Sequence, residues 1–218
     1  MLWVVFDFGG VICVPQPDAD LAALAAAAGA AGVADFWAAY WPSRPAYDQA
    51  LLTAAEFWQD VARRLGRSFT GPQIGELVRL DIASWMHLQA GTLALIQDLE
   101  SAGQRLAVLS NMPVEVARAI DALPLARHFE HLFFSCDFRA AKPDRGCFVQ
   151  ALDRLGVPAG QVTLVDDRQE NVTAAARLGL RAIRFTDPGQ ARAGLAGIIG
   201  GDALLCAMDA YMGSLCAG

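Results

Sequence analysis

The residues of this chain that could do chemistry are Asp7, Ser110, Lys142 and the pair Asp166-Asp167. All but Lys142 stand where an apolar run ends. Leu2 to Phe6 delivers Asp7 just before Gly9 and Gly10 release the backbone, Arg105 to Leu109 delivers Ser110, and Val162 to Val165 delivers Asp166 and Asp167. Lys142 sits in the loop Ala141-Lys142-Pro143-Asp144. Carboxylates crowded together repel, so they need either shifted pKa values or a cation to share. With no His or Cys among them, an oxygen-only cluster suits Mg2+, a hard ion that keeps waters and takes few protein ligands. A metal, a lysine ammonium and a serine hydroxyl then describe a site for a phosphoryl group, whose developing charge needs neutralisation and hydrogen bonds, and Asp7 is left as the nucleophile. Asp7-Phe8-Gly9 also invites a kinase reading, but that needs a catalytic loop and two lobes, and only six residues precede the tripeptide.

Residues so far apart in sequence meet only if the elements carrying them end at one place. Parallel strands joined by helices do this, because every strand's carboxyl end reaches the same rim, where ligands bind. The pattern predicts five short strands, at Leu2–Phe6, Arg105–Ser110, Leu132–Ser135, Val162–Val165 and Arg181–Phe185. Helices are expected at Thr92–Ala102, Val114–Leu123, Cys147–Leu155 and through Ala174–Ala176 to a stop at Gly179. This alternation builds an α/β, doubly wound parallel sheet.

Between Pro15 and His87 no strand pattern occurs. Asp18 to Ala34 is alanine-rich and reads as helix, with Asp18 or Asp20 as N-cap. Thr53-Ala54-Ala55-Glu56 has capping-box spacing ahead of Phe57, Trp58, Val61, Ala62 and Leu65 on one face, and Pro72 to Trp85 is also helical. Phe36 to Asp48 is dense in aromatics and carries Pro42 and Pro45, which forbid a continuous helix. It reads as packing, or as a substrate-facing wall with Arg44 as its polar contact. Residues 15–87 thus form an inserted all-helical unit, and residues 1–14 with 88–218 form the α/β core. The tail from Ala191 to Gly218 reads as a helix docked on the core, with a dimer-forming surface as the alternative.

A hydrophobic fraction of 55% against 18% charged excludes a disordered chain, and a net charge of −6 removes any nonspecific attraction to nucleic acid or an anionic membrane. The five cysteines, Cys13, Cys136, Cys147, Cys206 and Cys216, are odd in number and scattered. Without a Cys-x-x-Cys pair they read as reduced thiols of a cytoplasmic protein, monomer or homodimer. The start has no basic leader and its apolar run is broken by Asp7, so it does not read as a signal peptide, and the sequon Asn171-Val172-Thr173 then carries no meaning. No Walker loop or Gly-x-Gly-x-x-Gly supports nucleotide binding.

Together these residues resemble the haloacid dehalogenase-like (HAD) superfamily of hydrolases, mostly phosphatases. The resemblance rests on Phe6-Asp7-Phe8-Gly9-Gly10-Val11, Leu109-Ser110-Asn111, Lys142-Pro143 and Leu164-Val165-Asp166-Asp167, in the family's order and over nearly the whole chain. It implies a Rossmann-like core and a helical cap inserted after the first motif. It further implies that Asp7 forms an aspartyl-phosphate, that Ser110 and Asn111 hold the phosphoryl oxygens, and that Lys142 neutralises them. Mg2+ would be held by Asp7, Asp166 and the backbone carbonyl of Gly9, with Asp167 in support, and the substrate would be a small phosphorylated metabolite. One position departs from the family: its phosphatases usually carry a second Asp two residues after the nucleophile, as general acid and base, and here stands Gly9. The 2-haloacid dehalogenases of the family also lack that Asp and share Leu-Ser-Asn, but paired carboxylates without a metal would repel their carboxylate substrates. A catalytically silent protein that binds phosphorylated ligands is the third reading.

Overall fold

The computed structural model describes residues 2–199. After β1 (Trp3–Phe6) the chain runs through five helices, α1 (Asp18–Ala27), α2 (Val33–Tyr40), α3 (Arg44–Asp48), α4 (Ala54–Arg64) and α5 (Gly71–Ser84). It then alternates through α6 (Ala90–Ser101), β2 (Arg105–Ser110), α7 (Val114–Asp121), β3 (His131–Phe134), α8 (Ser135–Phe138) and α9 (Arg145–Leu155). Last come β4 (Val162–Asp166), α10 (Gln169–Arg177), β5 (Arg181–Arg184) and α11 (Pro188–Ile199).

The five strands form one parallel sheet in the order β3-β2-β1-β4-β5, so β1 lies at its centre. Its Trp-Val-Val-Phe run is buried throughout, as a strand covered on both faces must be. Successive side chains of β1 serve opposite layers. Val4 and Phe6 pack with α6, α7 and α11 through Leu95, Ile96, Val116 and Leu195, while Trp3 and Val5 pack with α9 and α10 through Phe148, Ala151 and Ala175. This is the doubly wound, Rossmann-like α/β arrangement expected from the alternating pattern.

Helices α1 to α5 enclose an apolar cluster of their own, centred on Leu24, Phe36, Tyr40, Phe57, Trp58 and Leu77. The two connections to the rest of the chain run side by side: Val14 N–H donates to His87 O at 2.9 Å and Gln89 N–H to Ile12 O at 2.8 Å. Helix α4 has the expected capping box, with Thr53 accepting from Glu56 N–H and Glu56 from Thr53 N–H.

Several boundaries differ from expectation. The alanine-rich stretch is not one helix to Ala34: α1 stops at Ala27, Gly29 takes φ +63°, and α2 starts only at Val33. Pro17 holds the N-cap place, with Asp18 and Asp20 in the first turn, where they suit the positive end of the helix dipole. Pro42 and Pro45 break the aromatic stretch as expected, each in the first turn of a short helix, where the missing N–H is not needed. Ser135 opens α8 instead of closing β3, a single turn too short to leave a periodic signal. The tail forms α11 as far as Ile199, and Ala191 and Leu195 are buried against the core. Residues 200–218, with Cys206 and Cys216, lie outside the described residues.

Candidate active site

The register of the sheet decides which polar groups meet. Phe6 pairs with Val165 and with Val108, which sets Asp7 level with Asp166 and one residue short of Ser110. All three side chains lie at the carboxyl rim, and all three are buried. Asp7 Oδ1 accepts hydrogen bonds from Phe8 N–H at 2.7 Å and from Ser110 Oγ at 2.6 Å, and Lys142 Nζ lies 3.0 Å from the same oxygen. Among the described residues no protein donor reaches Oδ2. Burial pushes the Asp7 carboxyl up to about 7; neighbouring Asp166 adds to the rise, while Lys142 and Ser110 oppose it.

Lys142 is buried between two carboxylates, with Nζ 2.6 Å from Asp166 Oδ2. Burial works against its charge, yet Asp7 and Asp166 outweigh that and hold its pKa above the ordinary lysine value. The loop that carries it is tied to β2 by Asn111, whose Nδ2 donates to Lys142 O at 2.7 Å and whose Oδ1 accepts from Lys142 N–H at 2.8 Å. The amide of Asn111 is therefore turned to the backbone of Lys142, and this side chain supports the lysine.

Asp166 is fully buried and carries three more contacts: Arg168 N–H at 2.9 Å and Asn171 Nδ2 at 3.0 and 3.1 Å from its two oxygens. Oxygens of Asp7, Asp166 and Asp167 lie within 4.8 Å of one another. Asp167 is raised above the usual carboxylate range by burial and by the charge of Asp166. Gly10, at φ +71°, leaves room for it: a Cβ there would stand 2.5 Å from Asp167 Oδ2. Gly9 has no such backbone requirement, and a Cβ on it would meet the Trp85 ring at 3.4 Å, an ordinary contact.

Asp7, Gly9, Ser110, Lys142 and Asp167 line one end of a cavity of about 620 Å3, with Asp166 buried behind them, and its other walls include Trp41, Arg44, Asp48 and Trp85 from the helical unit. Arg44 is buried at 3% exposure. Its Nε lies 2.5 Å from Asp48 Oδ1 and its Nη1 3.4 Å from Asp81 Oδ2, with Tyr40, Trp85 and Tyr47 rings 5.2, 5.7 and 5.9 Å from the guanidinium. Tyr40 and Tyr47 are buried, with their hydroxyls donating to Asp81 and Glu115 at 2.7 and 2.8 Å. Cys13 and Cys147 thiols are pushed up to about 12 by burial, so neither offers a thiolate near neutrality.

Asn171 is the site residue that sequence reasoning passed over, as a meaningless sequon. It is buried in the first turn of α10, five residues after Asp166, where a helix leaving a strand end folds back over that end. The signal was the Asn at that offset. Trp85 beside Gly9 had no comparable local signal.

Strand order, buried rim groups and a carboxylate cluster define the chain as an α/β protein with its candidate site at the carboxyl edge of a parallel sheet. The haloacid dehalogenase-like hydrolase family model matches residues 1–179, and the chain belongs to that family. It is 29% identical over 136 residues to haloacid dehalogenase-like hydrolase domain-containing protein 3 of Danio rerio, covering 62% of this chain and 49% of that protein. It is 27% identical over 120 residues to flavin mononucleotide hydrolase 1 of Arabidopsis thaliana, covering 55% and 47%. The chain thus spans about half the length of these curated relatives. Among solved structures it shares its fold with a HAD-family enzyme of Bacteroides thetaiotaomicron in complex with magnesium and inorganic phosphate, at TM-score 0.68 and 18% identity over 85% of this chain and 94% of that one. A 2-haloacid dehalogenase of Pseudomonas syringae superposes at TM-score 0.62 and 20% identity, over 85% and 86%. Among the described residues no helix is long and apolar enough to cross a membrane.

Proposed function

We propose that the chain is a magnesium-dependent phosphatase that cleaves a small phosphomonoester through an aspartyl-phosphate on Asp7. The observation that carries this is the asymmetry of Asp7: three donors fix Oδ1, while Oδ2 carries none and belongs to a residue lining the cavity. A carboxylate held by one oxygen is oriented to attack with the other.

The donor set fits Mg2+. Three carboxylates converge within 4.8 Å, and Asn171 Oδ1 is buried beside them without a hydrogen-bond partner. Asp7, Asp166 and the Gly9 carbonyl would hold the ion, with Asp167 in support. When bound it supplies positive charge between carboxylates and phosphoryl oxygens that would otherwise repel. In the reaction Asp7 Oδ2 bonds to phosphorus as the ester P–O bond breaks. Ser110 gives its one O–H to Asp7 Oδ1 and keeps the carboxylate oriented. Lys142, with a third N–H beyond those on Asp7 and Asp166, stands beside it to donate to a phosphoryl oxygen, and Asn111 steadies Lys142. Gly9 offers no acid, so the leaving oxygen takes its proton from solvent. A water then cleaves the aspartyl-phosphate and frees phosphate and Asp7.

Residues 15–87 act as a cap over the site, joined to the core of residues 1–14 and 88–218 by the paired segments at Val14–His87 and Ile12–Gln89. The described thiols Cys13, Cys136 and Cys147 are free and buried, which supports a cytoplasmic setting. A phosphomonoester panel with Mg2+, repeated with chelator and with Asp7→Asn, tests the reading. Turnover that survives the substitution removes Asp7 from its role, and silence across the panel leaves a phosphate-binding protein. Gly9 is the one observation that favours dehalogenation instead. Halide release from a 2-haloacid, undiminished by chelator, would establish that alternative.

A further inference from the structure

Beyond its phosphoryl end the cavity is lined by rings and apolar side chains, among them Pro15, Trp41, Pro45, Trp85, Met112 and Val116. Trp41 is 47% exposed, one of three large hydrophobic side chains left so open among the described residues. Its ring is braced from behind, stacked on Trp37 at 5.4 Å and edge-on to Tyr40 at 5.2 Å. A braced, open indole in the wall of a cavity is a stacking platform with little ordering left to lose on binding.

Charge limits the ligand further. Outside the Asp7, Lys142 and Asp167 end, the lining carries the carboxylates Asp48, Asp144 and Glu170 and the guanidiniums of Arg44 and Arg168. The guanidinium in the interior of the cavity is not free for an anion. Arg44 is held in a buried cluster by Asp48 and Asp81, whereas Arg168, 59% exposed, is paired with Glu170 at the solvent edge of the cavity. A second anionic group held inside the cavity, away from the exposed Arg168, would be desolvated next to Asp48 and Asp144 with Arg44 already paired.

We propose that the substrate is a monoester of a planar aromatic alcohol, neutral or cationic beyond its phosphate, with Trp41 as the specificity-determining contact. This rests on the phosphomonoester reading of the same site. Sugar phosphates and bisphosphates are then poor substrates, the first for want of an aromatic face and the second for want of a free cation inside the cavity.

Phosphonates, which are not hydrolysed, test binding apart from turnover. Calorimetry with Mg2+ would compare benzylphosphonate with propylphosphonate, and benzylphosphonate carrying a para-carboxylate with one carrying a para-aminomethyl group. In the wild type the benzyl compound should bind about tenfold more tightly than the propyl, the upper range of one aromatic contact, and Trp41→Ala should shrink that ratio to about twofold. The carboxylate should weaken binding and the aminomethyl group should not. Equal affinity for benzyl and propyl, a ratio unchanged in Trp41→Ala, or a tight para-carboxylate would each overturn the proposal. Failure of turnover with phosphonate selectivity intact would count against phosphatase activity alone, while no binding of any phosphonate would overturn both.

Discussion

Replacing Asp7 by Asn should make the metal-free protein more resistant to alkali, and the structure sets the size of the effect. In the native state burial holds the Asp7 carboxyl at about 7, against an ordinary value of 3.8. A carboxyl raised in this way favours folding while it is protonated. Its contribution is fully present below the unfolded value of 3.8 and is lost as the pH climbs through about 7. Each pH unit in that window is worth about 1.4 kcal/mol, and about two units of it fall between pH 5 and pH 8, so the ceiling is on the order of 3 kcal/mol. Asn carries no charge and has no such loss. The stability gap between Asp7→Asn and wild type, measured in chelator, should therefore widen in favour of the variant by about 2–3 kcal/mol from pH 5 to pH 8. For a chain of this length that is a Tm difference growing by roughly 4–12 °C. Lys142 keeps Asp166 as a partner in the variant, and any fixed cost of losing Asp7 appears at both pH values and cancels. Differential scanning calorimetry at the two pH values reads the change. A gap that stays constant would refute the argument that burial of Asp7 is charged against the fold. Added Mg2+ should then stabilise the wild type more than the variant, because only the wild type regains a cation for its carboxylate.

Asp166→Ala should abolish measurable Mg2+ binding in calorimetry, and Asn171→Ala should weaken it about tenfold by removing the amide that holds Asp166 in place, as outer partners of metal ligands do; unchanged affinity in either would remove that residue from the metal site. Arg44→Ala should destabilise the protein by about 3–5 kcal/mol, since Asp48 and Asp81 would lose their buried counterion, and a change below about 1 kcal/mol in urea unfolding would contradict the pairing. Gly9→Asp should fold, because its φ is not positive and Trp85 gives a Cβ ordinary room, and it should flatten the dependence of rate on leaving-group acidity across substituted phenyl phosphates. Equal slopes in wild type and Gly9→Asp would show that another group already supplies the proton.

The strands, their order of use along the chain and the polar residues at their ends were legible in the sequence, because they depend on local alternation and on where an apolar run stops. Asp7, Ser110 and Asp166 could be placed at one rim from that pattern alone, since parallel strands leave their carboxyl ends no other choice. Thr53 and Glu56 declared the start of α4 for a similar reason: a capping box closes within four residues. What the sequence could not carry was the pairing of side chains across long separations. Ser110 reaches Asp7 across 103 positions and Tyr47 reaches Glu115 across 68, and such partners are chosen by register and by packing between layers. So only the tertiary structure turned Asn111 onto the backbone of Lys142, buried Arg44 between Asp48 and Asp81, and made Asn171 a partner of Asp166. It also laid the ring of Trp85 beside Gly9, a contact between a loop and a helix end 76 residues apart that no periodicity encodes.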